Sequence, residues 1–415
     1  MNVEIINTGT ELLLGRVLNT HQQWLCTELA RLGHRVAKQV AIPDDAASIQ
    51  EAVAEALTRA DLVITTGGLG PTSDDITREL IAELLGVPLK TDPSVMAHLE
   101  RFFAARNRPV PDNALKEALV PEGAIVLQNA NGTAPGLVLF TAKRSPGNGK
   151  ACLVMLPGPP RELRPMFTQQ VLPLLEKEFG KEPALNWIFK TTGIGEAFVE
   201  QKLTMALKEL VQKGLEIGYC AAVGQVEVRL SVTGKALEPM LHEAANIVTS
   251  ELGSFIFSTD DRSLEEVVVT RLIEQKRTLA LAESCTGGMV ASRVTDVPGA
   301  SAVFLAGLVT YSNEAKEQLL GVRRETLDQH GAVSEPTARE MAAGARERNG
   351  TDYAIAITGI AGPGGGTPEK PVGTVYIALA TPNKVIVEKN FNPYDRATFK
   401  YVTSQQALDL LRRNF

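Results

Sequence analysis

Two short segments carry the residue types best suited to covalent chemistry. Ala282-Glu283-Ser284-Cys285-Thr286-Gly287-Gly288 closes an apolar strand over 278–282, and helical spacing runs from Cys285 to Val294. That spacing puts Ser284 at a strand-to-helix turn, with its hydroxyl exposed and helix N–H groups pointing outward to receive an oxyanion or a phosphate. A serine or threonine here is also an ordinary helix cap. Thr310-Tyr311-Ser312-Asn313-Glu314-Ala315-Lys316 ends another strand and opens another helix, with Ser312 or Asn313 as cap. Lys316 then falls in a first turn, where the helix dipole disfavours a cation; with partial burial, this lowers its pKa and frees a neutral amine to act as a base. A solvated surface lysine is the plainer alternative.

A third segment, Thr358-Gly359-Ile360-Ala361-Gly362-Pro363-Gly364-Gly365-Gly366, follows a buried strand. It is neither a Walker A loop, lacking G-K-[ST], nor a dinucleotide fingerprint, since no helix follows. It reads as a binding loop or a plain turn. Asp395-Arg396, before the last helix, offers either a cation for a phosphate or a surface ion pair. The three segments 282–288, 310–316 and 358–366 fall at strand C-terminal ends, where open parallel sheets bind ligands.

The N-terminal region repeats this arrangement. Gly67, Gly68 and Gly70, within Thr65-Thr66-Gly67-Gly68-Leu69-Gly70-Pro71-Thr72-Ser73-Asp74-Asp75, let backbone approach a ligand at a helix start. Asp74 and Asp75 are oxygen ligands for a divalent cation of the Mg, Co or Mn kind, or simply first-turn acids. Thr8-Gly9-Thr10-Glu11 follows the first strand and Pro157-Gly158-Pro159-Pro160-Arg161-Glu162 a later one.

The elements that must position these loops alternate. Strands at 3–6, 35–42 and 61–66 separate helices at 20–32 and 46–59, and 141–150 reads as a polar hairpin loop before a strand at 152–156. A middle stretch gives strand 187–191, helix 196–211, strands 215–221 and 225–233, and helix 237–252. The last third gives helix 264–275, strand 303–311, helices 314–320 and 336–348, strand 352–358, a strand pair at 373–380 and 384–391, and helix 396–411. The expected fold is α/β: two α/β domains with mostly parallel sheets, 1–170 and 258–415, joined by a small α+β module, 171–257.

With 415 residues, one core is not enough. A net charge of −6 without a basic run excludes bulk nucleic-acid binding but not small anions. Cys26, Cys152, Cys220 and Cys285 are too scattered for a disulfide framework or a structural zinc site. No stretch reads as a signal peptide or a membrane span, so a cytoplasmic protein without membrane partners is expected.

The 282–288 and 310–316 segments, with Gly331-Ala332-Val333-Ser334, Gly359 to Pro363 and Lys370-Pro371-Val372-Gly373-Thr374, resemble the CinA C-terminal family, the nicotinamide-nucleotide amidohydrolases. The resemblance implies hydrolysis of nicotinamide mononucleotide to nicotinic acid mononucleotide and ammonia, without a metal or other cofactor. Ser284 would be nucleophile and Lys316 its base, with Tyr311 assisting; Thr358 and Arg396 would line the site. On chemical grounds backbone N–H groups near Thr286, Gly287 and Gly288 would hold the oxyanion, and Cys285 is a rival nucleophile. Asn7 to Gly15 and Leu156 to Glu162 resemble the molybdopterin-binding fold as found in the CinA N-terminal domain. That implies a metal-dependent ADP-ribose pyrophosphatase, a KH-like middle module and a homodimer; the middle module shows no G-x-x-G loop with basic flanks, so RNA binding is not expected of it. A molybdopterin- or nucleotide-binding accessory linked to competence is the competing expectation.

Overall fold

Apolar runs of four to seven residues, bounded by glycine and polar turns, set the strands. The computed structural model describes residues 1–142, 150–180, 184–234 and 237–415. The expected polar hairpin loop over 141–150 lies mostly outside them. The chain divides into two compact units, Met1–Ala184 with Thr233–Lys235, and Leu185–Val232 with Ala236–Phe415. Among the described residues, no helix is long and apolar enough to cross a membrane.

In the first unit β1 (Asn2–Thr8), β2 (Arg35–Ile42), β3 (Leu62–Thr66), β4 (Leu89–Thr91), β5 (Leu119–Pro121), β6 (Ile125–Leu127), β7 (Gly136–Ala142) and β8 (Lys150–Leu156) are the strands. Six form one sheet in the order β2-β1-β3-β8-β7-β6. The four from β2 to β8 run parallel, and β7 and β6 return antiparallel. Every residue of β3 is buried, because helices cover both faces at the sheet centre. Asn7 pairs with Thr66 and Thr66 with Leu156, so β1, β3 and β8 end together at one edge. The helix Leu172–Phe179 packs on this unit's core, which carries the unit beyond the expected limit at 170.

The second unit holds two sheets. β9 (Ala184–Thr192), β10 (Glu216–Ala222), β11 (Gln225–Thr233) and β12 (Ile256–Ser258) form the small one, ordered β10-β11-β9-β12 over its own apolar cluster. The single helix expected at 196–211 is two, Glu196–Ala206 and Lys208–Gln212, broken at Leu207. β13 (Leu279–Glu283), β14 (Phe304–Val309), β15 (Tyr353–Gly359), β16 (Thr374–Ala380) and β17 (Val385–Phe391) form the other, ordered β14-β13-β15-β16-β17. The first three run parallel and the last two antiparallel.

Large and small residues alternate along these strands. Leu279, Leu281, Ile355, Ile357, Ile377 and Leu379 face one layer, while Ala280, Ala282, Ala354, Ala356, Ala378 and Ala380 face the other, against helix Glu335–Asn349. That alanine face lets the helix lie close, as dense packing requires. A helix at Arg324–His330, not foreseen from the sequence, links two others. Glu283 pairs with both Val309 and Ile357, so the loops after β13, β14 and β15 leave one edge side by side.

Candidate active site

That common edge brings Ser284 and Lys316 together. Ser284 is tied to β15 through its amide, which donates to the Ile357 carbonyl (3.1 Å). Ser312 caps helix Asn313–Leu320 by accepting from Ala315 N, which turns Lys316 inward. Lys316 is only 1% exposed, and its Nζ lies 3.3 Å from Ser284 Oγ, 2.8 Å from the Thr310 carbonyl and 3.4 Å from the Ser312 carbonyl. Burial pushes its pKa down, against smaller opposing effects of Cys285 and Glu314. A neutral amine has two N–H donors and one lone pair. In that form the two carbonyls can take the donors and leave the lone pair for the serine O–H; in the ammonium form Nζ donates to Ser284 Oγ.

The turn after Ser284 differs from expectation. The helix begins at Met289, not Cys285. The Glu283 carboxylate, 1% exposed, folds under it and accepts from Gly288 N (3.0 Å), Val290 N (3.2 Å) and Ala291 N (2.8 Å). Gly287 N donates to Ser284 O (3.1 Å) and Met289 N to Thr286 O (3.3 Å). The amides of Gly287 and Gly288 are therefore not free for an oxyanion. Among the described residues no backbone carbonyl accepts from the amides of Cys285 and Thr286, although the Cys285 amide faces its own thiol. Thr286 is fully buried, and its hydroxyl has no partner among the described residues. The Cys285 side chain packs in the core beneath the sheet, and burial pushes its thiol up to about 12. It is thus protonated at neutral pH and a poor nucleophile.

The remaining expected residues lie at the rim or behind it. Tyr311 is exposed, and its hydroxyl accepts from Arg396 Nη2 (2.9 Å), while Arg396 Nη1 donates to the Gly362 carbonyl (2.9 Å). Asp395 does not pair with Arg396; it caps its own helix at Ala397 N and Thr398 N. Thr358 is buried, and its hydroxyl donates to Ala332 O (2.7 Å), joining β15 and Gly359 to the 331–334 loop.

The first unit carries a separate cavity of about 350 Å³ at the ends of β1, β3 and β8. Gly67, Gly68, Gly70, Glu11, Asp74 and Asp75 line it. Thr10 does not; its amide and hydroxyl are taken by Asp44. Gly68 has φ +68, and a Cβ there would lie 1.9 Å from Thr77 Oγ1. Asp74 is held below its usual range chiefly by the Thr72 hydroxyl. Asp75 accepts from Thr72 N (2.9 Å).

Comparison with known proteins places both halves. Residues 261–415 match the family model described as "CinA C-terminal domain", and residues 4–177 the one described as "Probable molybdopterin binding domain". A CinA-like protein of Akkermansia muciniphila is 46% identical over 98% of this chain and 96% of its own. The chain belongs to the CinA family. A family member from Symbiobacterium thermophilum, named for competence-damage induction, is 47% identical over 92% of this chain and 88% of its own. The crystal structure of the competence/damage inducible protein CihA from Agrobacterium tumefaciens is 42% identical, covering 36% of this chain and 94% of its own, with a TM-score of 0.35.

In this CinA-family chain, sequence reasoning missed Glu283, Glu117 and Glu162. Glu117 lines the N-terminal cavity and is fully buried; burial raises its pKa to about 7, against the Thr133 hydroxyl and Arg78. Thr133 donates to Glu117 Oε1 (3.1 Å), and Oε2 has no partner among the described residues. Glu162, on the same cavity, accepts from Asn129 Nδ2 (2.8 Å). Glu283 was the residue before the motif serine and signalled nothing by type. Glu117 lies in a short 3₁₀ helix, Asp112–Ala118, whose sequence has no α-helical or strand periodicity to mark it.

Proposed function

We propose that the C-terminal domain hydrolyses the carboxamide of nicotinamide mononucleotide to nicotinic acid mononucleotide and ammonia. The observation that carries this reading is the buried Lys316 amine 3.3 Å from the Ser284 hydroxyl. Ser284 Oγ attacks the amide carbon as Lys316 takes its proton. The amides of Cys285 and Thr286 are the donors suited to the resulting oxyanion, where one such donor is commonly worth ~3 kcal/mol. Collapse breaks the C–N bond, and the Lys316 ammonium returns the proton to departing ammonia. Water then attacks the ester, Lys316 again accepts a proton, and Ser284 recovers it. The substrate is drawn from the resemblance of the 282–288, 310–316 and 359–374 segments to the nicotinamide-nucleotide amidohydrolases. The test is ammonia release from nicotinamide mononucleotide by the full chain. Release that Lys316→Met abolishes supports the reading, and no release by the parent protein sinks it.

For the N-terminal domain we propose metal-dependent cleavage of the pyrophosphate of ADP-ribose. The cavity is lined by six carboxylates, Glu11, Asp44, Asp74, Asp75, Glu117 and Glu162. Such a wall repels a bare pyrophosphate and favours one accompanied by a divalent cation. Among the described residues no three His, Cys, Asp or Glu side chains are gathered to cage an ion. A magnesium-like ion keeps several waters and uses one or two carboxylates plus substrate phosphates. Asp74 or Asp75 with Glu11 would hold it, and it would offset phosphate charge. Glu117 is poised to exchange a proton near neutral pH.

A further inference from the structure

We propose that Arg78, buried behind the acidic wall of the N-terminal cavity, is the fixed positive charge that lets that wall accept a phosphate-bearing ligand together with its cation, and so sets the balance between the two. The inference rests on the reading of this cavity as a cation-and-pyrophosphate site.

Six carboxylates line the cavity and, among the described residues, no lysine or arginine does. Two cations reach its rim. Lys116 spends its ammonium on the carbonyls of Thr72 and Asp75, and Arg161, 78% exposed, approaches Glu162 (3.8 Å) from solvent. Arg78 is only 1% exposed and sits in the first turn of the helix Thr77–Leu85, where the dipole disfavours a cation. That turn hangs on the cavity wall, because Thr77 N donates to Gly68 O (3.1 Å). From the other side, the bond from Lys116 Nζ to Asp75 O (3.1 Å) draws in the segment that carries Glu117. Arg78 and Glu117 therefore flank one cross-link, each within three residues of it in sequence.

Arg78 Nη2 donates to Glu79 Oε1 (2.5 Å). Its Nε and Nη1 have no partner among the described residues, and neither has Glu117 Oε2. The Glu79 side chain is 33% exposed, so water screens it more than it screens the guanidinium. The positive end of this pair is the one felt at the cavity. Burial raises the Glu117 carboxyl, the Thr133 hydroxyl and Arg78 draw it down, and the carboxylates that reinforce the rise are Asp75 and Glu162, not Glu79. A unit charge held in low dielectric acts over several ångströms and is little screened by salt. Beside six carboxylates it opposes the binding of a cation and favours that of a phosphate.

The experiment is calorimetric binding of manganese alone, and of α,β-methylene adenosine diphosphate at saturating manganese, to the full chain. The methylene bridge is not hydrolysed, so binding is read without turnover. The signal of the cavity is the part lost in Asp75→Asn. Arg78→Met should bind manganese about five-fold more tightly and the diphosphate about five-fold more weakly, and both shifts should persist at about 0.5 M salt. Arg78→Lys should stay near the parent protein. Where Arg78→Met does not fold, the double variant Arg78→Met with Glu79→Gln leaves no lone carboxylate and carries the test with the same signs, because solvent already screens Glu79. Weakening of both probes together, as a loss of packing would give, or no shift in either, overturns the proposal, as does a parent protein that binds neither. Opposite shifts in a protein that cleaves no ADP-ribose keep the role of Arg78 and remove the pyrophosphatase reading.

Discussion

Replacing Glu117 by glutamine should stabilise the N-terminal unit at alkaline pH and do little at acid pH. The side chain is fully buried, and burial is the largest influence carrying its carboxyl from 4.5 to about 7, reinforced by Asp75 and Glu162. A raised carboxyl pKa means the folded state holds the proton more tightly than the unfolded state. Below about pH 4.5 both states are protonated and nothing is lost. As pH rises towards 7 the unfolded chain ionises first and stability falls; above 7 the loss is complete. At about 1.4 kcal/mol per tenfold change in proton affinity, the full loss is roughly 3 kcal/mol. Glutamine does not titrate, so the stability difference between Glu117→Gln and its parent should grow by about 2–3 kcal/mol from pH 5 to pH 8. Trp24 and Trp187 are the two tryptophans, one in each unit. Urea unfolding followed by Trp24 fluorescence in a Trp187→Phe background therefore reports the first unit. A difference that stays flat between pH 5 and pH 8, or shrinks, refutes a buried, proton-holding Glu117.

The lowered pKa of Lys316 predicts that kcat/KM for deamidation rises with pH through that pKa, with the acid limb below the ordinary lysine range of about 10.4. Lys316→Arg, which cannot supply a neutral amine, should be inactive at every pH. Glu283→Gln leaves amides of the Ser284 turn facing a donor, so thermal unfolding should show a loss of about 2–4 kcal/mol; a loss within error would remove Glu283 from the turn's support. ADP-ribose cleavage should vanish with a chelator and return with added magnesium, cobalt or manganese, and Asp75→Asn should reduce it. Absence of cleavage with any ion would leave the cavity as a binding site.

The site was legible where strand order and loop chemistry coincide. Ser284 and the 359–366 loop each follow a short buried run and the 310–316 segment follows a half-exposed edge strand, and parallel neighbours bring these ends together. The lowered Lys316 pKa was readable from its place in a first helical turn, although burial and not the dipole proves its main cause. What was hidden depends on contacts distant in sequence or on exact helix starts. A four-residue error in the helix after Ser284 made Gly287 and Gly288 look like oxyanion donors, because nothing in Glu283 announced that its side chain would bend back under the turn. Thr10 has the right type but faces Asp44, 34 residues away. Glu117 becomes unusual only when the cavity closes around it. The antiparallel returns complete the sheets, and their connections still reach the two sites: the β6–β7 connection brings Thr133 and Ala134 to the N-terminal cavity, and Arg396 follows β17.

The account stands on Ser284, and not its neighbour Cys285, forming the bond to substrate. Its most direct test is peptide mapping by mass spectrometry of the full chain acid-quenched during turnover of nicotinamide mononucleotide. The account predicts an acyl ester on Ser284, absent from Ser284→Ala and present in Cys285→Ala. A thioester on Cys285, or undiminished ammonia release from Ser284→Ala, would contradict it.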